Sequence, residues 1–240
     1  TQISGQLGTS PIAIEVVTPK VELGGWVNFS DIGSNSPSIA MLLRTKTLML
    51  GETLLAINEA ALNLRPNYMD MSFDGKDLAG RIERLGQGLL ILELEHLNLP
   101  EGDDWLDPPD SDPLIDFNPG ELPSIRIDIS ELHRGKTTYR NVHAKLVTGE
   151  NRLDASDVRF SRDGQLFGGE LSWVADELGS RSALTLRAEG PELGRFLRVN
   201  EDEPILEAKE GQFSANISWA GSPFGFSVLT SDGVVGLNLE

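Results

Sequence analysis

Cysteine is absent from the 240-residue chain. Its absence excludes disulfides, cysteine-ligated metal and thiol catalysis, without choosing a compartment. Positive charge is also short, with 20 Lys and Arg against 37 Asp and Glu and a formal net charge of −17. A polyanion such as DNA or RNA would be repelled, so no nucleic-acid partner is expected. No uninterrupted apolar run approaches the ~18 residues that span a bilayer, and no signal peptide heads the sequence. The chain opens at Thr1 without Met and stops mid-pattern at Glu240, and it reads as a fragment of something longer, with any membrane anchor outside it. Histidine is scarce: His96, His133 and His143 are scattered, with no metalloprotease-like spacing and no Gly-x-Ser-x-Gly elbow. Ser180, Ser182 and Ser222 keep turn-like company, and Glu93 and Glu95 suit a polar strand face. The expectation is a protein that is not an enzyme and holds no cofactor.

Helical periodicity is thin, while alternation recurs. Ile125, Ile127 and Ile129 alternate with Arg126 and Asp128; Leu184, Leu186 and Ala188 with Thr185 and Arg187; Phe213, Ala215, Ile217 and Trp219 with Ser214, Asn216 and Ser218. Side chains two apart share a face of an extended strand, so these are half-buried strands. Further strands are expected at 12–17, 38–43, 54–64, 69–73, 89–94, 142–146 and 155–160. Turns are expected at Gly24-Gly25, Pro66-Asn67, Asp74-Gly75 and Asp163-Gly164. At the end, Phe224, Phe226 and Val228 read as one strand and Val235, Leu237 and Leu239 as the next, joined through Thr230-Ser231-Asp232-Gly233 as a closing hairpin. A short helix is expected near 191–198, since proline suits a first helical position and Glu192 a helix N-terminus; a second is possible over 201–207.

Pro37-Ser38-Ile39 and Pro123-Ser124-Ile125 open two similar series of strands and turns. The organisation read from this is a set of leading strands over 1–36, a first β pass over 37–122 and a second over 123–240. Stacked passes build an elongated body rather than a globule, and a long, strongly twisted antiparallel sheet of such passes can be curled into an elongated open groove. Between them, residues 101–112 are too acidic and too proline-rich to pair in a sheet and read as a solvated loop. The Asp residues of that loop lack the spacing of a calcium-binding loop, and no metal site is expected. Arg195 and Arg198, flanking Phe196 and Leu197, read as part of a helix packed on the sheet rather than as a phosphate contact.

Trp219-Ala220-Gly221-Ser222-Pro223, the strand pattern after it, Gly190-Pro191-Glu192-Leu193-Gly194-Arg195-Phe196-Leu197, Gly168-Gly169-Glu170-Leu171-Ser172-Trp173, Leu97-Asn98-Leu99-Pro100 and Asp112-Pro113-Leu114-Ile115-Asp116-Phe117-Asn118-Pro119 together resemble the AsmA-like proteins of Gram-negative bacteria, most closely the YhdP-type members. The resemblance covers roughly residues 37 to 240. It implies a periplasmic segment of an inner-membrane-anchored protein with a hydrophobic groove that moves phospholipid towards the outer membrane. Its partners would be phospholipid acyl chains and, at the ends of the full-length protein, components of the two membranes. By the same resemblance the groove candidates are Ile127, Ile129, Phe167, Leu171, Leu184, Leu186, Phe213, Ile217, Trp219, Phe226, Val228 and Leu237, none of them catalytic. From periodicity alone a closed sandwich or barrel core is the favoured reading; the repeat and the resemblance turn it towards the open groove. A scaffold module pairing through its sheet edges is the alternative; a carbohydrate-binding sandwich, wanting exposed aromatics on a polar face, is disfavoured. Trp173 and Trp219 could line the trough or plug one end.

Overall fold

The structure, a computed structural model, describes residues 1–6, 11–22, 38–50, 53–86, 88–100, 112, 114–177, 179–191 and 210–239. Two compact units divide the chain, Thr1–Glu101 with Ile125–Thr138, and Gly102–Ser124 with Tyr139–Glu240. Among the described residues every regular element longer than a 3-10 turn is a strand.

In the first unit the strands are β1 (Gln2–Gln6), β2 (Ile12–Val17), β3 (Lys20–Glu22), β4 (Ile39–Arg44), β5 (Thr47–Leu50), β6 (Thr53–Ala56), β7 (Glu59–Arg65), β8 (Tyr68–Asp74), β9 (Leu78–Leu85), β10 (Leu89–Leu99) and β11 (Ser124–Arg134). In the second they are β12 (Thr137–Thr148), β13 (Arg152–Arg162), β14 (Gln165–Asp176), β15 (Gly179–Pro191), β16 (Glu210–Ala220) and β17 (Asp232–Leu239). Fourteen of them form one sheet in the order β1-β2-β4-β7-β8-β9-β10-β11-β12-β13-β14-β15-β16-β17, and β3-β5-β6 form a small second one. The large sheet is open: β1 and β17 are its end strands. The expected mainly-β, open-sheet architecture is what folds. Among the ladders whose register is described, pairing is antiparallel except where β2 runs parallel to β4, and β3 to β5 in the small sheet.

Register explains the burial in the first unit. Ile14, Met41, Leu62, Met71, Ile82 and Leu92 lie opposite one another across β2, β4, β7, β8, β9 and β10, so one face is a continuous apolar band. The other face carries ion pairs that cross strands: Arg44 with Glu15 and Glu59, Arg81 with Asp70 and Glu83, and Arg126 with Glu93. Asp70 and Glu83 hold the Arg81 guanidinium firmly in its charged form.

The structure corrects three sequence expectations. Residues 54–64 are not one strand. The chain breaks at Ile57-Asn58, where Asn58 N donates to Asp74 O at 2.8 Å and Ala56 N donates to the Asp77 carboxylate at 2.8 Å. β6 thereby joins β5 in the small sheet, while β7 joins the large one. The closing hairpin is also different. Residues 223–225 and 228–230 are 3-10 turns, because Ser222 and Ser227 accept hydrogen bonds from Phe224 N and Leu229 N. Pro223, lacking an N–H, cannot join a ladder. Phe226 and Val228 are therefore not on a strand, and β17 pairs with β16. Third, Pro191 ends β15 rather than opening a helix. The rest of that expected helix with Arg195 and Arg198, the helix over 201–207, the acidic stretch 101–111 and the Gly24-Gly25 turn lie outside the described residues. The turns at Asn67 and at Asp163-Gly164 form as read, with φ of 57°, 51° and 83°.

Candidate functional site

The apolar surface of the second unit is built in rows. Phe160, Phe167, Ala188, Phe213 and Leu237 are register partners across β13 to β17. Two residues along, the row is Val158, Gly169, Leu186, Ala215 and Val235; then Ala155, Leu171, Leu184, Ile217 and Gly233; then Leu153, Trp173, Ser182 and Trp219. Partners in register point to the same side, so all four rows form one face. The opposite side alternates in Glu170, Ser172, Thr185, Arg187, Gln212, Ser214 and Asn216. Among the described residues of this unit no second sheet lies over the apolar side.

Bulges shape it. Register shifts between β12 and β13, and again between Ala155 and Val158, where Asn141 and Asp157 take φ of 52° and 53°. A bulge bends and twists its strand, which turns a flat ladder into a curved one. Asp157 is kept ionised on the polar side by a hydrogen bond from Lys145 and by the charges of Arg159 and Lys145, which lower its pKa against partial desolvation.

Burial along the face is graded. Phe167 is buried against Phe160 (ring centroids 4.7 Å apart, stacked), and Phe160 meets the edge of Tyr139. Leu171, Leu184, Leu186, Phe213 and Ile217 are half-buried, and Leu237, on the end strand, is 39 % exposed. A depression of about 720 Å³ lies at this part of the sheet, lined mostly by residues that alternate to the opposite side, among them Leu166, Arg187, Glu189, Gln212 and Asn238.

At the other end the face is covered. Trp173, 1 % exposed, stacks on Phe117, and Trp219, 5 % exposed, meets Phe226 edge-on at 5.1 Å. Both indole N–H groups are used: Trp173 donates to Ser180 Oγ and Trp219 to Ser222 O, each at 2.8 Å. Pro119 is fully buried in a 3-10 turn whose Gly120 lies so close to the Glu150 carbonyl that a Cβ would fall 1.9 Å from it. Asp112 fixes the remaining end. Its carboxylate accepts from Ser222 N and Ser222 Oγ at 2.6 Å each, and from Leu114 N at 3.0 Å. A Cβ on Gly221 or Gly225 would reach 2.7 Å from Asp112 Oδ2, so both glycines make room for the carboxylate. Burial alone would raise the pKa of Asp112, but the bonds from Ser222 and Leu114 outweigh it and hold the pKa below the usual carboxylate value.

These covered tryptophans and the Gly-Ser-Pro turn that encloses Asp112 are the residues that carried the sequence resemblance, and the family model described as YhdP protein matches residues 3–240. The chain belongs to the YhdP family. The match reaches back through β1 and β2, beyond the span from residue 37 that the motifs covered. No curated protein and no solved structure matches it.

Of the twelve groove candidates of this YhdP-family chain, Phe167, Leu171, Leu184, Leu186, Phe213, Ile217, Trp219 and Leu237 share the one face. Trp219 sits in its covered row together with Trp173. Phe226 is a covering residue, and of Val228 only the backbone turn is described. Ile127 and Ile129 lie on β11 in the first unit, half-buried and buried respectively. Sequence reading passed over the apolar band of the first unit, although the alternation of Ala60, Leu62 and Leu64, and of Met69, Met71 and Phe73, displayed it. It also passed over Asp112 and Phe117, whose roles come from contacts distant in sequence. Each histidine has a local partner: His96 Nε2 with Gly75 O, His133 Nδ1 with Thr138 Oγ1, and His143 Nε2 with Asp157. Among the described residues no group of three or more His, Asp or Glu is placed to hold a metal ion.

Proposed function

We propose that this chain is a segment of a bridge-like lipid transfer protein of the periplasm, anchored in the inner membrane through a part outside these residues, which shields phospholipid acyl chains on their way between inner and outer membranes. One observation carries the reading: aligned apolar rows over β13–β17 that no second sheet covers among the described residues. A sandwich would hide such rows; here Leu171, Leu184, Leu186 and Ile217 stay only half-buried, while Leu153, Ala155, Ala188 and Ala215 are buried. Membership of the YhdP family supports the same reading.

The energetics favour a trough over a pocket. Exposing an acyl chain to water costs about 0.8 kcal/mol per CH₂, so a lipid with two long chains faces a barrier of many kcal/mol to free transfer. A surface of interchangeable Leu, Ile, Val and Phe side chains removes most of that cost at every point without a tight site, and the headgroup stays in water. The chain does no bond chemistry and requires no cofactor; its partners are acyl chains and, at the ends of the whole protein, membrane components.

The experiment is to purify the full-length protein in a non-lipid detergent, extract it and identify bound lipid by mass spectrometry, beside the same protein carrying Leu186→Asp and Ile217→Asp. Phospholipid bound to the native protein and depleted in the variant supports the trough. Equal lipid in both, or none in either with the fold intact, favours a scaffold that pairs through the open edges β1 and β17.

A further inference from the structure

We infer that Arg84 binds the phosphate of a phospholipid whose acyl chains lie on the apolar face of β9 and β10 in the first unit. The inference rests on the lipid reading above and adds to it a fixed contact for the headgroup. Arg84 stands in an apolar row: its register partners across the sheet are Ile12, Ile39, Leu64, Met69 and Leu90. Two further rows follow on the same face, from Ile14 to Leu92 and from Val16 to Leu94. Across all three, Arg84 is the one charged side chain. Arg44, Arg81 and Arg126 pair with carboxylates on the opposite face. Arg84 forms no hydrogen bond or ion pair with any described residue.

The surroundings of Arg84 are open. Leu62, Leu64, Met71 and Phe73 on β7 and β8 are at most 5 % exposed, whereas Ile82, Arg84, Leu90 and Leu92 on β9 and β10 are only half-buried. The row also lies at the strand ends that carry the Asn67 and Gly86 turns, where Gly86 N donates to Asn67 O at 2.9 Å. An arginine so placed lays its methylenes on apolar neighbours and keeps its guanidinium at the water margin. Its N–H donors then have no described protein acceptor beside a surface of Ile and Leu. The complement is a molecule anionic at one end and apolar at the other. A phosphodiester meets the guanidinium fork in bidentate fashion, and its acyl chains meet Ile82, Leu90 and Leu92. Free phosphate would leave the apolar side chains unmatched, and a neutral diglyceride would leave the charge unmatched.

The test uses the full-length protein with a photoreactive side chain at Leu92, the register partner of Ile82. It is reconstituted in vesicles of dioleoylphosphatidylcholine and dioleoylglycerol, whose acyl chains are identical, and the captured lipids are identified by mass spectrometry. Arg84→Met keeps an apolar stem in the row and removes the charge. It is expected to lower phosphatidylcholine capture about tenfold, the weight of a hydrogen bond to a charged group, and to leave dioleoylglycerol capture unchanged. Arg84→Lys, which keeps the charge without the planar fork, should fall between parent and Arg84→Met. A fall in both lipids together, or in neither, overturns Arg84 as a phosphate contact. Phospholipid captured by the parent with the reactive side chain at Leu186, and not at Leu92, overturns the inference while the lipid reading stands. Capture at neither position contradicts the lipid reading and the inference with it.

Discussion

Asp112 and Ser222, 110 residues apart in sequence, are joined by two hydrogen bonds of 2.6 Å, one from the backbone N–H and one from the hydroxyl of Ser222. The pair closes the Gly-Ser-Pro turn over a carboxylate and explains what that short motif is for. Ser222→Ala removes the hydroxyl bond to Asp112 and the oxygen that accepts from Phe224 N. A hydrogen bond to a charged group contributes about 1.5–3 kcal/mol, so the variant is expected to lose stability of that order in urea unfolding.

Acid should weaken the same contact. The pKa of Asp112 is lower in the folded chain than its ordinary value near 3.8. A carboxyl whose pKa is depressed by folding contributes stability that is present above its unfolded pKa and lost as pH falls through the folded one. The Asp112–Ser222 contact should therefore be indifferent to pH from neutrality down to about 4 and weaken below it. Acrylamide quenching of Trp173 and Trp219 against pH should rise below that point, and in Asp112→Asn it should already be high and flat.

Open and closed faces respond differently to truncation. Leu→Ala in a sealed core costs about 2–5 kcal/mol. Leu184 and Leu186 are half-buried, so Leu184→Ala or Leu186→Ala is expected to cost about 1 kcal/mol, in proportion to the area they hide. Leu62→Ala in the first unit, at a side chain only 3 % exposed, should cost the larger amount. Chemical denaturation of the variants measures the contrast; equal costs would mean that the β15 face is sealed.

Gly80 has φ of 132°, and a Cβ there would fall 2.5 Å from Glu93 O and Leu94 Cα, beside the register shift between Leu94 and His96. Gly80→Ala is expected to destabilise by about 2 kcal/mol or more, because it combines a disfavoured backbone angle with a backbone clash that no rotamer relieves. A lowered melting temperature with unchanged far-UV circular dichroism at low temperature is the expected result.

Period-two alternation made most strands legible, because each strand has one wet face and one oily one: Phe213, Ala215, Ile217 and Trp219 in β16 all turn the same way. Local alternation does not encode which neighbour a strand takes. Leu54–Leu64 alternates well enough for one strand, yet Asp77 and Asp74 bind backbone N–H groups on either side of the break and send its halves to different sheets. Phe224, Phe226 and Val228 alternate too, but Pro223 and the Ser222 and Ser227 side chains satisfy the backbone locally, and turns win. The candidate face was readable from β14–β16 on pattern and resemblance together. Its covered end was not, since the Asp112–Ser222 and Phe117–Trp173 contacts leave no mark on either segment alone.

The central claim is an apolar face that acyl chains reach. Site-specific photocrosslinking in cells tests it most directly, with the reactive side chain at Leu186 and Ile217 on the apolar rows, at Ile127 on β11, and at Arg187, Asn216 and Asp128 as polar controls. The account predicts phospholipid captured at Leu186 and Ile217 and not at Arg187 or Asn216. Capture at neither set would contradict it and make these rows a closed core.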